Sequence, residues 1–233
     1  MQIDVLTLFP SMIETMFGES ILARAARRGH LDIRAHQIRD YTTQKQKQVD
    51  DYPYGGGQGM VMQADPLFRC LSHVREAHGA GHVILMSPAG RVFNQREAVR
   101  LRRDFSHLIL VCGHYEGVDE RFVETCVDEE LSLGDFVLTG GEIAACAVCD
   151  AVCRLIPGVL ADESAFEEES HYAGLLEHAQ YSRPEVWQGL RVPEVLLSGH
   201  HENIRRWRRE QGLARTRERR PDLWEKYGEK EQA

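Results

Sequence analysis

Short apolar runs alternate with amphipathic stretches through the first 157 residues. That pattern predicts an α/β domain built around a mostly parallel sheet. Strands are expected at Ile3 to Phe9, Leu31 to His36, Val83 to Met86 and Leu108 to Cys112, each bounded by Gly, Pro or polar residues. Helices are predicted between them. Ser11 with Glu14, and Asn94 with Glu97, have the spacing of a capping box or its Asn analogue, and Gly29 and Gly79 suit the stop after a helix. From Glu142 to Ile156 the apolar positions Ala145, Val148, Val152 and Ile156 repeat at helical spacing, so this segment should lay one face on the sheet.

Pro157-Gly158 ends that helix, and the Asp/Glu/Ser-rich stretch to about His171 has the composition of an exposed linker. A second unit of short helices is expected from Pro184. Ser198-Gly199 precedes an Arg-rich amphipathic run carrying Ile204 and Trp207, a break is expected at Gly212, and a last helix follows Pro221. The chain is therefore read as residues 1–158, a linker at 159–172 and a small helical domain at 173–233. No internal repeat or low-complexity tract interrupts this order.

Charge and cysteines narrow the partners. The formal net charge is −8 over 233 residues, which on its face opposes nucleic-acid binding. The average hides an asymmetry: eight arginines lie between Asn203 and Pro221 against only Glu210 and Glu218, while acid concentrates at Asp162 to Glu169. A charge run by itself is most often a solvated helix face. The longest apolar runs, such as Leu108 to Cys112, are far below the roughly 18 residues of a membrane span. The start at Met1-Gln2-Ile3 lacks a signal-peptide pattern, so a cytoplasmic protein is expected. The six cysteines sit mostly among Val, Leu and Ala, which suits buried thiols better than a disulfide framework. Cys146, Cys149 and Cys153 share a helical face, but a single Cys-x-x-Cys without a second motif is a weak metal signal. His200-His201-Glu202 lacks zinc-protease spacing, and no metal ligand is assigned.

Three glycine-bearing segments could carry chemistry. Tyr54-Gly55-Gly56-Gly57-Gln58-Gly59-Met60 follows Asp50 and Asp51; it is neither a Walker A loop nor a dinucleotide fingerprint, and alone it fits a surface turn as well as a ligand loop. Cys112-Gly113-His114-Tyr115-Glu116-Gly117-Val118-Asp119-Glu120-Arg121 directly follows the apolar run Leu108 to Val111, where ligands of open α/β sheets bind. Leu133-Gly134-Asp135-Phe136-Val137-Leu138-Thr139-Gly140-Gly141-Glu142 is another strand-end turn running into a helix. The last two could wall one pocket.

These segments, with Ser87-Pro88-x-Gly90, Arg154 before Ile156-Pro157-Gly158-Val159-Leu160, Tyr181-Ser182-Arg183-Pro184 and Val195-Leu196-Leu197-Ser198-Gly199-His200, closely resemble the bacterial tRNA (guanine-N1)-methyltransferases. The match runs through nearly the whole chain in one order. The resemblance implies a SPOUT-type fold, an α/β domain with a deep trefoil knot, working as a homodimer. Periodicity would never suggest a knot, because true knots are rare. It further implies a methyl donor, S-adenosylmethionine, held by Met86, Ser87, Pro88, Gly113, Tyr115, Glu116, Leu133, Gly134, Asp135, Phe136, Val137, Leu138, Gly140 and Gly141. The acceptor would be N1 of the guanosine just 3′ of the anticodon, tRNA position 37.

Guanine N1 carries a proton at neutral pH, so the reaction needs a base and a positive group to steady charge building on O6. Family position supplies Arg154 for the charge. For the base the family has an aspartate where this chain has Glu169, flanked by Glu167 and Glu168; the carboxylate is kept with one more methylene. Phe136 stands where tyrosine is common and Leu133 where isoleucine is common, and both keep an apolar surface. Asp50, Gly59, Arg205, Arg208 and Arg215 are carried over as tRNA contacts, the arginines because their place in the family turns a charge run into a phosphate-binding surface. Mg²⁺ is left open as an aid; a membrane or DNA partner is not expected. Two rival readings remain: a non-catalytic nucleic-acid-binding regulator with a small effector in the glycine loops, and a phosphate-loop nucleotide enzyme, disfavoured by the missing Lys-Ser/Thr.

Overall fold

The apolar runs become strands and the amphipathic stretches become helices in the expected alternation. The structure, a computed structural model, describes residues 1–161, 166, 169–172 and 174–231, with only the backbone for 228–231. In chain order the first unit holds β1 (Gln2–Thr7), α1 (Pro10–Phe17), α2 (Ser20–Arg27), β2 (Asp32–Gln37), β3 (Asp50–Asp51), β4 (Val61–Met62), α3 (Ala64–His78), β5 (His82–Val92), α4 (Gln95–Asp104), β6 (His107–Cys112), α5 (Glu120–Cys126), β7 (Glu129–Ser132) and α6 (Glu142–Cys153). Five strands form one sheet in the order β2-β1-β6-β5-β7, and every neighbouring pair is parallel. The carboxyl ends of these strands therefore all emerge along one edge. The α/β class expected from the pattern is the class found.

Every residue of β6 is buried, as a central strand covered on both faces must be. Alternation along β1 assigns the two faces. Leu6 joins Leu67, Leu71 and Val74 of α3, with Val83, Ile109, Val111 and Phe122, in one apolar cluster. Thr7 points the other way and donates its hydroxyl to Glu142 at the start of α6. Each fully buried Leu, Ile or Val contributes about 1.5–3 kcal/mol, so these two layers supply much of the unit's stability. Cys146, Cys149 and Cys153 are buried on α6, and burial pushes the Cys146 thiol up to about 11 and the Cys153 thiol up to about 12. Such thiols stay protonated and pack as small apolar groups.

One polar group lies inside the sheet. The Asp4 side chain is fully buried and receives Arg34 Nε at 2.8 Å and His36 Nε2 at 2.6 Å on one oxygen, and Arg34 Nη2 at 2.9 Å and His107 Nε2 at 2.7 Å on the other. Both carboxylate oxygens are thus satisfied by donors from the two flanking strands. Burial pushes this carboxyl up, but the hydrogen bonds from Arg34, His36 and His107 outweigh it and hold the group well below the usual carboxylate range.

Several local expectations need correcting. No side chain caps α1: Phe9 occupies the N-cap position without a side-chain bond, Pro10 opens the helix, and Thr7 Oγ1 instead accepts from the Phe9 N–H. Asn94 does cap α4, accepting from the N–H groups of Arg96 and Glu97. The segment Glu129–Ser132 is an edge strand that its two acids concealed. Glu129 accepts from His82, Arg91 and Arg100, so its charge is satisfied at the rim of the sheet. Helix α6 ends at Cys153 rather than at Ile156.

By its contacts the chain divides at Met1–Glu163 and Ser164–Ala233. The second unit contains β8 (Val186–Trp187), β9 (Leu190–Arg191), α7 (Glu194–Leu197), α8 (His201–Arg219) and α9 (Pro221–Glu231). The hairpin β8-β9 was not foreseen; Gln188 and Gly189, both at positive φ, make its two-residue turn. Nor does α8 break at Gly212. A Cβ there would lie 2.9 Å from the Leu176 carbonyl oxygen, and Thr216, one turn on, accepts the Leu176 N–H through its hydroxyl. Gly212 is small so that the 176 segment can lie against the helix, and the helix continues through it.

Candidate active site

Three strand ends and three glycine turns meet at the carboxyl edge of the sheet. β5 pairs with β7 through Met86 and again through Arg91, both opposite Leu131, so the intervening Ser87-Pro88-Ala89 arches out of the sheet. Gly90 closes that arch: a Cβ on it would sit 2.5 Å from the backbone of Glu130 and Leu131. Beyond β6 the chain turns at Gly113 to Gly117, with Tyr115 and Gly117 at positive φ. Beyond β7 it runs through 133–141 into α6.

The second and third turns touch. The Gly141 N–H donates to the Gly113 carbonyl at 3.0 Å, and His114 and Gly140 form an antiparallel bridge. A Cβ on Gly141 would stand 2.7 Å from Cys112 Cα and 3.1 Å from Gly113 N, so backbone meets backbone here with no room for a side chain. The Tyr54–Met60 turn of the β3-β4 hairpin joins the 113–117 turn. Met62 and Val118 form a parallel bridge, Glu116 N–H donates to the Met60 carbonyl at 2.9 Å, and a Cβ on Gly59 would fall within 2.5 Å of the Glu116 carboxylate. Asp50 is half-buried on β3 opposite Met62, in the same hairpin.

Between the Ser87–Gly90 arch and the turns at 113–117 and 133–141 lies a cleft of about 270 Å³. Met86, Ser87, Pro88, Gly113, Tyr115, Glu116, Leu133, Phe136, Val137, Leu138, Gly140 and Gly141 all line it. Gly134 and Asp135 are not among its described lining; Gly134 instead binds Ser132 through its N–H and carbonyl. Sequence reasoning passed over Leu85, His114, Gly117, Val118, Leu131, Ser132, Thr139 and Ala144, which also line it. Most of these are strand-end or helix-start neighbours of the motif residues and could have been found by asking which residues flank each turn. His114 lies inside the Cys112–Gly117 motif, where the resemblance gives it no role.

The walls are apolar at Leu85, Val118, Leu131, Leu138 and Ala144, and the glycine turns expose backbone along one side. Tyr115 contributes a phenol whose oxygen accepts from Arg39 Nη2 at 3.1 Å. Phe136 and Val137 remain exposed. Such a site suits a partly apolar molecule of modest size, its volume just under the roughly 300–1,000 Å³ common for small-ligand pockets.

The tRNA (Guanine-1)-methyltransferase TrmD family matches residues 1–226. This chain belongs to that family. Among curated relatives named tRNA (guanine-N(1)-)-methyltransferase, that of Ruminiclostridium cellulolyticum is 52% identical over 231 residues, 99% of either chain. Its counterpart in Clostridium acetobutylicum is 53% identical, covering 97% of this chain and 92% of the relative. The one from Clostridium novyi is 54% identical, covering 96% and 91%. Membership of the TrmD family carries the SPOUT class of α/β fold, in agreement with the parallel sheet.

The remaining family positions are distributed over both units. Arg154 follows the last turn of α6 and is half-buried. Glu169 belongs to the second unit, where its N–H donates to the Phe166 carbonyl; Glu167 and Glu168 lie outside the described residues. On α8, Arg205 and Arg208 are exposed, whereas Arg215 is half-buried with its Nε lacking a hydrogen-bond partner among the described residues. No helix among the described residues is long and apolar enough to cross a membrane.

Proposed function

We propose that this protein transfers the methyl group of S-adenosylmethionine to N1 of the guanosine at tRNA position 37, giving N1-methylguanosine and S-adenosylhomocysteine. The observation that carries the reading is the meeting of the glycine turns around one cleft, in a chain matched to the family over residues 1–226. The cleft suits the donor: apolar walls fit a purine face, and turns stripped of side chains offer backbone groups to its polar edges.

The bound donor supplies an electrophilic methyl group on a sulfonium. Arg154 steadies the negative charge that gathers on guanine O6 as N1 loses its proton, and the Glu169 carboxylate takes that proton. The N1 electron pair then forms the new C–N bond while the C–S pair stays on sulfur. Glutamate in place of aspartate reaches one methylene further for the same proton. Asp50 and Gly59 address the nucleotides beside the target, and Arg205, Arg208 and Arg215 bind tRNA phosphates, offsetting the acidic average by local concentration. On this reading residues 1–158 are a knotted donor-binding domain, 159–172 a linker and 173–233 a tRNA-binding domain, and the protein works in the cytoplasm.

The test is incubation of the protein with methyl-labelled donor and unmodified tRNA bearing guanosine at position 37, with and without Mg²⁺. Label is expected in N1-methylguanosine, and its absence at saturating donor and tRNA would sink the assignment. The same tRNA with adenosine in place of that guanosine should accept none. Label that persists in EDTA would remove the divalent ion from the account.

The same reading makes the protein a homodimer. Phe9, with Met12 and Met16 on α1, is exposed, and so is Ile143 on α6, against which α1 packs. Clustered apolar side chains of this kind belong to an interface more often than to free surface. Sedimentation should give twice the protomer mass, and Met12→Glu with Ile143→Glu should shift the protein to protomers. An unaltered dimer in that variant would place the interface elsewhere.

A further inference from the structure

At the wall of the cleft stands an ionisable pair, His114 and Glu142, to which the proposed chemistry assigns no task. Glu142, the first residue of α6, is only 2% exposed. A carboxylate so buried needs partners, and it has two: Thr7 Oγ1 donates to Oε1 at 2.6 Å, and His114 Nε2 lies 2.7 Å from Oε2. His114 itself lines the cleft. Its backbone N–H donates to the Met62 sulfur at 3.2 Å, and its ring stands edge-on to Phe9 at 5.1 Å between centroids. One residue thus touches Phe9 ahead of α1, Glu142 at the start of α6, Met62 of β4 and Gly140 of the 133–141 turn.

Gly140 reveals how tightly the ring is seated. Its φ is not in the positive range, so its backbone does not call for glycine. Yet a Cβ there would lie 2.1 Å from His114 Cε1, 2.3 Å from Nε2 and 2.7 Å from Glu142 Oε2. The imidazole occupies the side-chain space of residue 140, and only glycine leaves room for the His114–Glu142 hydrogen bond.

From this we infer that His114, fastened by the buried carboxylate of Glu142 and seated against Gly140, is a positioning residue that holds the two glycine turns at the spacing donor binding requires. The inference rests on the methyltransferase reading above. It separates binding from chemistry, because His114 acts on the walls of the cleft and not on the transferred methyl or on guanine.

Donor affinity is measured by calorimetry with S-adenosylmethionine and S-adenosylhomocysteine, beside steady-state kinetics on tRNA with guanosine at position 37. His114→Ala is expected to weaken donor binding and raise the donor KM by about 10- to 100-fold, the worth of a hydrogen bond to a charged group, with kcat within about threefold. His114→Gln, which can still donate to Glu142, should recover most of the loss. Gly140→Ala should weaken the donor at least about tenfold in the wild-type background but add less than about twofold on top of His114→Ala, because its clash is with the ring. Thermal melts distinguish a lost cleft from a lost fold. Should His114→Ala melt below the assay temperature, Glu142→Gln decides, with about five- to tenfold weaker binding expected. Donor affinity unchanged in His114→Ala or Glu142→Gln, a kcat that falls as far as KM rises, or full additivity with Gly140→Ala overturns the proposal. In that case wild-type donor binding and transfer leave the function standing; a wild-type protein that binds no donor removes both.

Discussion

Arg154→Ala is expected to lower methyl transfer to the position-37 guanosine by about 10²–10⁴-fold while leaving the affinity for S-adenosylmethionine within about threefold. The reason is the place where charge develops. Donor binding alone puts no new negative charge on guanine O6, so in the role proposed for Arg154 its guanidinium contributes to the transition state and little to donor affinity. Arg154→Lys keeps the charge but loses the planar fork, and should recover only part of the rate. Glu169→Gln should behave like Arg154→Ala, since an amide cannot take the N1 proton. Single-turnover assays beside donor calorimetry check both. Equal losses of donor affinity and rate in Arg154→Ala would contradict its role, and near-normal turnover in Glu169→Gln would hand the proton to a neighbouring carboxylate or to water.

The second large effect concerns stability. Asp4→Ala is expected to destabilise the first unit by about 3–5 kcal/mol, because it takes the buried acceptor away from Arg34, His36 and His107 together. The pH dependence has a definite sign. The folded carboxyl titrates below the unfolded one, so its contribution is complete above the unfolded pKa of about 3.9 and is lost as pH falls below that toward the folded value. Urea unfolding at pH 7 should show the full difference between wild type and Asp4→Ala, and the two should converge in acid. A constant difference from pH 7 to pH 3 would mean that the carboxylate charge is not what the three donors need.

Where sequence reading fell short, the missing information was spatial. Glu129 and Glu130 conceal a strand because charge is tolerated at a sheet edge, where His82, Arg91 and Arg100 can reach it. Gly212 resembles a helix break by composition, yet it serves the approach of the Leu176 backbone. Asp4 in an apolar run gives no sign of its partners, which come from β2 and β6, 30 to 103 residues away. His114 was passed over for a related reason: its two acid and ring partners, Glu142 and Phe9, are assembled only when β1, β6 and α6 lie side by side.

The order of residues alone determined the α/β class, four of the five strands of the main sheet, most helix positions, the Asn94 cap and the motifs that mark the family, because periodicity, capping and turn chemistry act over a few neighbours. The sequence also raised the sharing of one pocket by the turns at 113–117 and 133–141, but tertiary structure alone decided that Gly140 makes room for a ring and that Glu142 is buried against Thr7 and His114. Contacts between segments far apart in the chain depend on which faces the sheet brings together, and no local pattern of side chains encodes that.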